Sequence, residues 1–370
     1  MKKKVDKPFL ILTITLLVVG LFIFSSASLG LLAKGSSSYW SILFNQLVLG
    51  LCGGLVAMYI TSKIPYTFWR KYAFYILIGA VIAMLLTFVP FLRRCVNGAC
   101  RWIDVGGQSI QPSEIFKLGF IMYLACWFAS VKNKVKTWKL GTMPFVILLG
   151  LAAILVLGQK DTDTLMVIVL AGSAIYITAG GKWRDLAILG LIGVIGLTIL
   201  VFQRPYLMNR IQAFIDPSKD ALGSSYQVQQ SLIAIGSGGV MGRGFGQSIQ
   251  KFSFLPYPMS DSIFAVAGEE FGFVGSVTII ALFVMFAFRG LRIARLAPDA
   301  FGQYLTVGII TLIIVQSFLN IAAMLAIIPL SGTPLLFVSH GGTAMFFTLA
   351  STGIILNISK HQLKKGSVAA

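Results

Sequence analysis

Charge is scarce in this sequence. Only 11% of its 370 residues are Asp, Glu, Lys or Arg, against about 25% in soluble chains, so there is too little charge to build a water-facing surface. Acids are the rarer sign: 12 Asp and Glu stand against 30 Lys and Arg, a formal net charge of +18. Two His and four Cys, with no Cys-x-x-Cys pair, leave little for a zinc site. No Gly-x-Gly-x-x-Gly and no Gly-Lys-Ser/Thr is present, so no nucleotide site is implied. These absences exclude a soluble Rossmann enzyme, a secreted disulfide scaffold and a disordered tail protein.

What is present is apolar length. Hydrophobic residues make up 57% of the chain and the mean hydropathy is +0.87. A bilayer crossing takes about 20 apolar residues at 1.5 Å each. Apolar runs near 9–29, 42–61, 73–90, 113–130, 142–158, 162–179, 186–203, 263–288, 302–326 and 343–358 predict an all-α polytopic membrane protein of ten transmembrane helices. The first run follows Met1-Lys2-Lys3-Lys4, but its apolar stretch from Phe9 to Phe24 outlasts a usual signal-peptide core; it reads as an uncleaved first helix. Residues 142–181 would be about 60 Å long as one helix, twice the hydrocarbon thickness. They form instead a hairpin whose charged tip is Gln159-Lys160-Asp161-Thr162-Asp163.

Basic residues set the expected orientation. Lys2–Lys4 with Lys7, the set Lys63, Arg70 and Lys71, the four Lys of 132–139, Lys182 with Arg184, Arg289, Arg292 and Arg295, and Lys360, Lys364 and Lys365 share one side, with only Asp6, Asp185 and Asp299 among the acids. Both termini are therefore expected in the cytoplasm. The positive charge is juxtamembrane, which speaks against nucleic acid. The chain reads as one domain over 1–370, with external loops at 91–112 and 204–262, the longer between helices 7 and 8, and a cytoplasmic tail at 359–370. Cys95 and Cys100 flank the turn-prone Val-Asn-Gly-Ala; they either close a small disulfide in an oxidising space or remain two free thiols.

Chemistry gathers on the external face. Arg93, Arg94, Arg101, Trp102 and Asp104 precede Glu114 and Lys117, which are three apart and share a helix face. A membrane-embedded Lys–Glu pair is either a snorkelling lysine with a local ion pair or part of a site for an anionic head group. Residues 236–246 hold six glycines, either a flexible loop or backbone able to approach closely and offer amides to phosphate; Arg243 and Lys251 favour an anion-facing role. Asp261 stands where Leu255-Pro256-Tyr257-Pro258-Met259-Ser260 turns into the eighth helix. Ser260 or Asp261 could cap that helix. Asp261 is also a carboxylate near a basic cavity, as a general base requires. Glu269 and Glu270 read as structural partners of neighbouring polar groups, and the Pro- and Gly-rich 328–342 as broken backbone lining a cavity. His340 reads as structural.

Asn97-Gly98-Ala99-x-Arg101-Trp102, Gln111-Pro112-Ser113-Glu114-x-x-Lys117, Gln159-x-Asp161-x-x-Thr164, Tyr226-Gln227-x-x-Gln230-Ser231-Leu232 and Pro329-Leu330-Ser331-Gly332-x-Pro334-Leu335-x-Phe337-Val338-Ser339 resemble the SEDS family, which includes FtsW, RodA and SpoVE. Asn97-Gly98-Ala99, Asp216-Pro217 and Tyr226-Gln227 are more similar to FtsW than to RodA. The resemblance implies a peptidoglycan glycosyltransferase that polymerises lipid II for septal wall synthesis in cell division, with Asp261 as catalytic base. The residues read as substrate-binding are Arg101, Glu114, Lys117, Asp161, Arg243, Lys251 and Ser339; the reading calls for no definite cofactor, a divalent cation, Mg2+ or Mn2+, being the one to consider. A class B penicillin-binding protein and other division proteins are the implied partners. The alternatives are a lipid II flippase or transporter, an elongation-type polymerase, and a non-catalytic scaffold. The sequence departs from the family pattern at Lys160 and Asp163, which replace an expected Pro and Gly, at Tyr257-Pro258-Met259-Ser260, and at His340, where Tyr is usual.

Overall fold

The computed structural model describes residues 4–33, 38–96, 99–105, 108–216 and 224–362. Met1–Lys3, Asn97-Gly98, Pro217 and the tail beyond Gln362, all used in the sequence reading, lie outside them. The helices run in chain order as α1 (Lys7–Ala33), α2 (Ser38–Phe44), α3 (Gly54–Lys63), α4 (Tyr66–Leu86), α5 (Pro112–Val131), α6 (Met143–Gly158), α7 (Thr162–Thr178), α8 (Trp183–Gln203), α9 (Pro205–Ile215), α10 (Ser224–Ser237), α11 (Gln250–Ser253), α12 (Ile263–Arg295), α13 (Ala300–Met324) and α14 (Gly342–Ser359). Among the described residues, nine helical spans are long and apolar enough to cross a membrane. This is a multi-pass helical membrane protein.

The tenth expected segment is α7, 17 residues long, which rises only about 26 Å and falls short of that length criterion. It packs against α5, α6 and α13, and the three-residue turn Gln159-Lys160-Asp161 joins it to α6 as the expected hairpin. The second span is not one α-helix. A nine-residue π segment, Asn45–Gly53, joins α2 to α3, the kind of irregularity that accompanies functional sites.

The two long loops are more ordered than hydropathy suggested. Residues 91–112 contain a three-stranded antiparallel sheet, β1 (Arg93–Val96), β2 (Ala99–Val105) and β3 (Gln108–Ile110), so the fold is not purely helical. In the β1–β2 register Cys95 faces Cys100 and Arg94 faces Trp102, and the two cysteines are disulfide-bonded. The 204–262 stretch is likewise not a simple loop, for it holds α9, α10 and α11. Short polar helices with an apolar side lie flat where water meets lipid, and hydropathy windows of crossing length pass over them.

Burial is uneven. Most of α14 is enclosed, whereas α8 has no buried residue; apolar side chains facing lipid need no protein cover. The longest helix, α12, breaks at Gly272, whose φ is 64°. A side chain there would collide with the backbone of Val240 and Gly242. The glycine-rich stretch 239–244 inserts at this break. Gly242 has φ 79°, a region open to glycine at no steric cost. The amides of Arg243 and Gly244 donate to the Glu269 and Glu270 carbonyl oxygens at 3.0 Å each, and those of Phe273 and Val274 donate to Gly239 and Val240 at 2.9 and 3.2 Å. The expected phosphate-facing amides therefore satisfy the broken helix instead, because unpaired backbone at membrane depth is costly.

Candidate active site

One end of the bundle brings together the N-termini of α5, α7, α12 and α14, the C-terminus of α13 and the sheet. Between them lies a cavity of about 740 Å³ lined by Arg94, Arg101, Trp102, Glu114, Lys160, Asp161, Tyr206, Arg210, Asp261 and His340, among others. Its volume is in the range of pockets that enclose a drug-sized ligand. Its wall carries both cations and carboxylates.

Asp261 is held by its backbone rather than by its carboxylate. Ser262 occupies the N-cap of α12 and makes no side-chain bond to that helix, so neither Ser260 nor Asp261 caps it. The Asp261 carbonyl oxygen accepts from Asn320 Nδ2 at 2.8 Å, and the same amide donates to the Thr333 carbonyl, also at 2.8 Å. Ser339 Oγ donates to the Ser260 carbonyl at 2.7 Å and accepts from the Leu335 amide at 2.8 Å. The His340 amide donates to the Met259 carbonyl at 2.7 Å. Gln46, in the π segment, donates to the Ser339 carbonyl at 3.2 Å and accepts from the Gly341 amide at 3.1 Å. The broken 328–342 backbone thus grips residues 259–261 and points the Asp261 carboxylate inward. Oδ1 accepts from Ser260 Oγ at 2.9 Å. Oδ2 lies 3.9 Å from the point where a side chain on Gly332 would begin, and Arg210 Nη2 lies 3.8 Å from the same point.

Burial pushes the Asp261 carboxyl above the usual carboxylate range. The Ser260 hydrogen bond opposes this, Asp163 adds to it, and Arg210 and Arg101 pull it back. Desolvation of the ionised form is the leading cause. The imidazole of His340 is pushed down to about 4 by burial, so it is neutral at pH 7, and its Nε2 has no hydrogen-bond partner among the described residues.

Arg101 Nη1 pairs with Asp161 Oδ1 at 3.3 Å, and its Nη2 donates to the Lys160 carbonyl. Asp161 caps α7: Oδ1 accepts from the Thr164 amide at 3.3 Å and Oδ2 from Thr164 Oγ1 at 2.8 Å. It therefore sets Arg101 in place besides closing a helix end. Glu114 meets Lys117 Nζ at 2.8 Å, and Lys117 also donates to Gln316 Oε1 at 2.6 Å. Glu114 and Gln316 line the cavity, while Lys117, 2% exposed, sits beneath its floor.

Two expected members lie elsewhere. Lys251 is fully buried, 2.6 Å from Glu270 Oε1 and 2.8 Å from Ser26 Oγ. Arg243 Nε lies 3.5 Å from Glu269 Oε1, and Glu269 also accepts from Ser248 Oγ at 2.6 Å and the Ile249 amide at 3.0 Å. Neither cation lines the cavity. Buried carboxylates need nearby partners, and these two glutamates take the closest cations in the chain. Sequence reading missed Arg210, which the amphipathic α9 carries to the cavity. It missed Asn320 as well, an amide inside an apolar helix whose buried position was its only signal. Among the described residues no group of three acidic, His or Cys side chains comes together to hold a metal ion.

A multi-pass bundle with a cavity at one end, lined by both carboxylates and arginines, defines a membrane-embedded protein with a polar site. The chain belongs to the FtsW/RodA/SpoVE family, described as cell cycle protein, whose profile matches residues 7–364. It is 35% identical over 361 residues to stage V sporulation protein E of Bacillus subtilis, covering 97% of this chain and 98% of that one. It is 35% identical over 358 residues to the probable peptidoglycan glycosyltransferase FtsW of Geobacter sulfurreducens, covering 96% and 95%. Its fold superposes on a chain from a peptidoglycan synthase complex that coordinates polymerization and crosslinking, with TM-score 0.77 and 23% identity over 97% of this chain and 99% of that one. It also superposes on the rod shape determining protein RodA of Thermus thermophilus, with TM-score 0.71 and 22% identity over 97% and 98%.

Proposed function

We propose that this protein is a peptidoglycan glycosyltransferase that joins lipid II units into glycan strands, with Asp261 as general base. The observation that carries this reading is the Asp261 carboxylate, raised by burial, at the wall of a cavity that also holds Arg101 and Arg210. Asp261 takes the proton of the acceptor sugar's 4-hydroxyl. The freed oxygen attacks the donor's anomeric carbon, the new C–O bond forms, and the bond to the polyprenyl diphosphate breaks with its electron pair on the phosphate oxygen. Growing charge on that leaving group calls for fixed cations, which Arg101 and Arg210 supply. The site lies on the extracytoplasmic face of a bacterial cytoplasmic membrane, crossed ten times with both termini inside. The Cys95–Cys100 disulfide beside the cavity suits an oxidising compartment. A class B penicillin-binding protein is the partner this role calls for, and septum formation the process.

The test is a gel assay for glycan strands with purified protein, with and without that partner. Asp261→Asn should insert normally and lose about 10²–10⁴-fold in rate, the usual contribution of acid–base catalysis. Undiminished polymer from that variant refutes the base assignment. Transfer of labelled lipid II between leaflets with no polymer formed would favour a flippase.

A further inference from the structure

Asp163 replaces the glycine that the family pattern expects two residues after Asp161, and the structure gives it three elements to join. From the first turn of α7, its Oδ2 accepts from Arg210 Nη1 of α9 at 3.2 Å and from the Gly332 amide at 3.1 Å. The guanidinium is thereby engaged on one edge, while Nη2 faces the space beside Gly332 that Asp261 Oδ2 also faces. An arginine free to reach a carboxylate ordinarily pairs with it, and a direct pair would lower the proton affinity a base needs. Here the arginine already has a carboxylate.

We propose that Asp163 is a positioning residue for the transfer reaction: it holds the Arg210 guanidinium beside Asp261 without letting the two pair, so that the carboxylate stays free and the second edge of the guanidinium meets the departing diphosphate. The same oxygen anchors Gly332, so α9, α7 and the 331–333 backbone close around the base as one unit. This inference rests on the reading of Asp261 as base.

The charges that act on Asp261 are Asp163 from α7, Arg210 from α9 and Arg101 from β2; Arg94, Glu114, Lys160, Asp161, Tyr206, Tyr257 and His340 share the cavity wall with it. Removing the Asp163 charge deletes one influence that raises Asp261 and releases Arg210 to approach it. Both changes move the acid limb of the kcat/KM profile to lower pH.

The experiment measures kcat and KM for lipid II across pH with full-length protein in detergent, for the unaltered chain, Asp163→Asn, Asp163→Glu and Arg210→Gln. We expect Asp163→Asn to lose about tenfold in kcat/KM, the size of one charge-assisted hydrogen bond, with its acid limb shifted to lower pH. Asp163→Glu, which keeps charge and reach, should recover most of both. In Arg210→Gln the limb should move the other way, because a cation is lost, and KM should rise. Unchanged kcat/KM and an unmoved limb in Asp163→Asn would overturn the proposal. So would a rate loss with no change in the pH profile, which marks a purely structural role. If Asp163→Asn does not fold, the Arg210→Gln limb decides alone, and its failure to move upward is the overturning result. Asp261→Asn, measured in parallel, separates the two failures: activity in that variant refutes the base reading, whereas its inactivity beside an unmoved Asp163→Asn refutes only the role of Asp163.

Discussion

The Asn320 amide reaches the Asp261 carbonyl oxygen at 2.8 Å across 59 residues of sequence. A largely apolar helix thus sets where the proposed base stands, and it ties the Thr333 carbonyl to the same point. Asn320→Leu removes both bonds and leaves two buried carbonyls without a donor. That costs roughly 1–3 kcal/mol for each unsatisfied group. The expected outcome is a protein that still inserts, with a lower thermal midpoint, and with kcat lowered by tenfold or more in the glycan-strand assay.

The proposed base, Asp261, sets a pH dependence. Because burial raises Asp261 above the usual carboxylate range, the free base is lost on the acid side earlier than for an exposed aspartate, and kcat/KM falls as pH drops through the raised value. Arg101 pulls that value down, so Arg101→Gln should shift the acid limb to higher pH and raise KM. A rate profile from pH 4 to 9 for both proteins checks it.

The disulfide clips the hairpin that presents Arg101. Cys95 pairs with Cys100 next to the Arg94–Trp102 pair, and Arg94, Arg101 and Trp102 all line the cavity. Loss of the cross-link leaves the sheet held by its strand pairing and by the Arg101 bonds to Asp161 and Lys160. Reduction of the purified protein, or a Cys95→Ser/Cys100→Ser double variant, should raise KM for lipid II several-fold with a smaller change in kcat. The double variant should then no longer respond to reductant.

Lys251 and Glu270 serve the fold. Their ion pair is fully buried and shared with Ser26 on α1. Breaking a buried pair by removing one partner costs about 3–5 kcal/mol. Lys251→Met should therefore lower the thermal midpoint sharply, and the double change Lys251→Met/Glu270→Gln should recover much of the loss. The surviving folded fraction should keep its KM, since neither group touches the cavity.

Hydropathy placed the apolar segments and the 159–161 turn, because a bilayer rewards apolar length and excludes charge whatever the neighbours are, but it began α4 seven residues late, ended α12 seven residues early and did not show the π segment in the second span. The Glu114–Lys117 pair was equally legible, since helical geometry sets two side chains three apart on one face, and Asp261 stood out as an acid at a loop–helix junction. The choice of cations was not legible. Arg243 and Lys251 lie closer to Asp261 in sequence than Arg210 does, yet Glu269 and Glu270 capture them, and Arg210 arrives on a surface helix that no crossing-length pattern marks. The stretch 239–244 carried the same ambiguity, and the break at Gly272 claims the amides of Arg243 and Gly244 and the carbonyls of Gly239 and Val240. Local pattern determines which segments enter the membrane. Which polar groups meet there depends on the competition among all buried charges for the few partners within reach, and only the assembled bundle decides that.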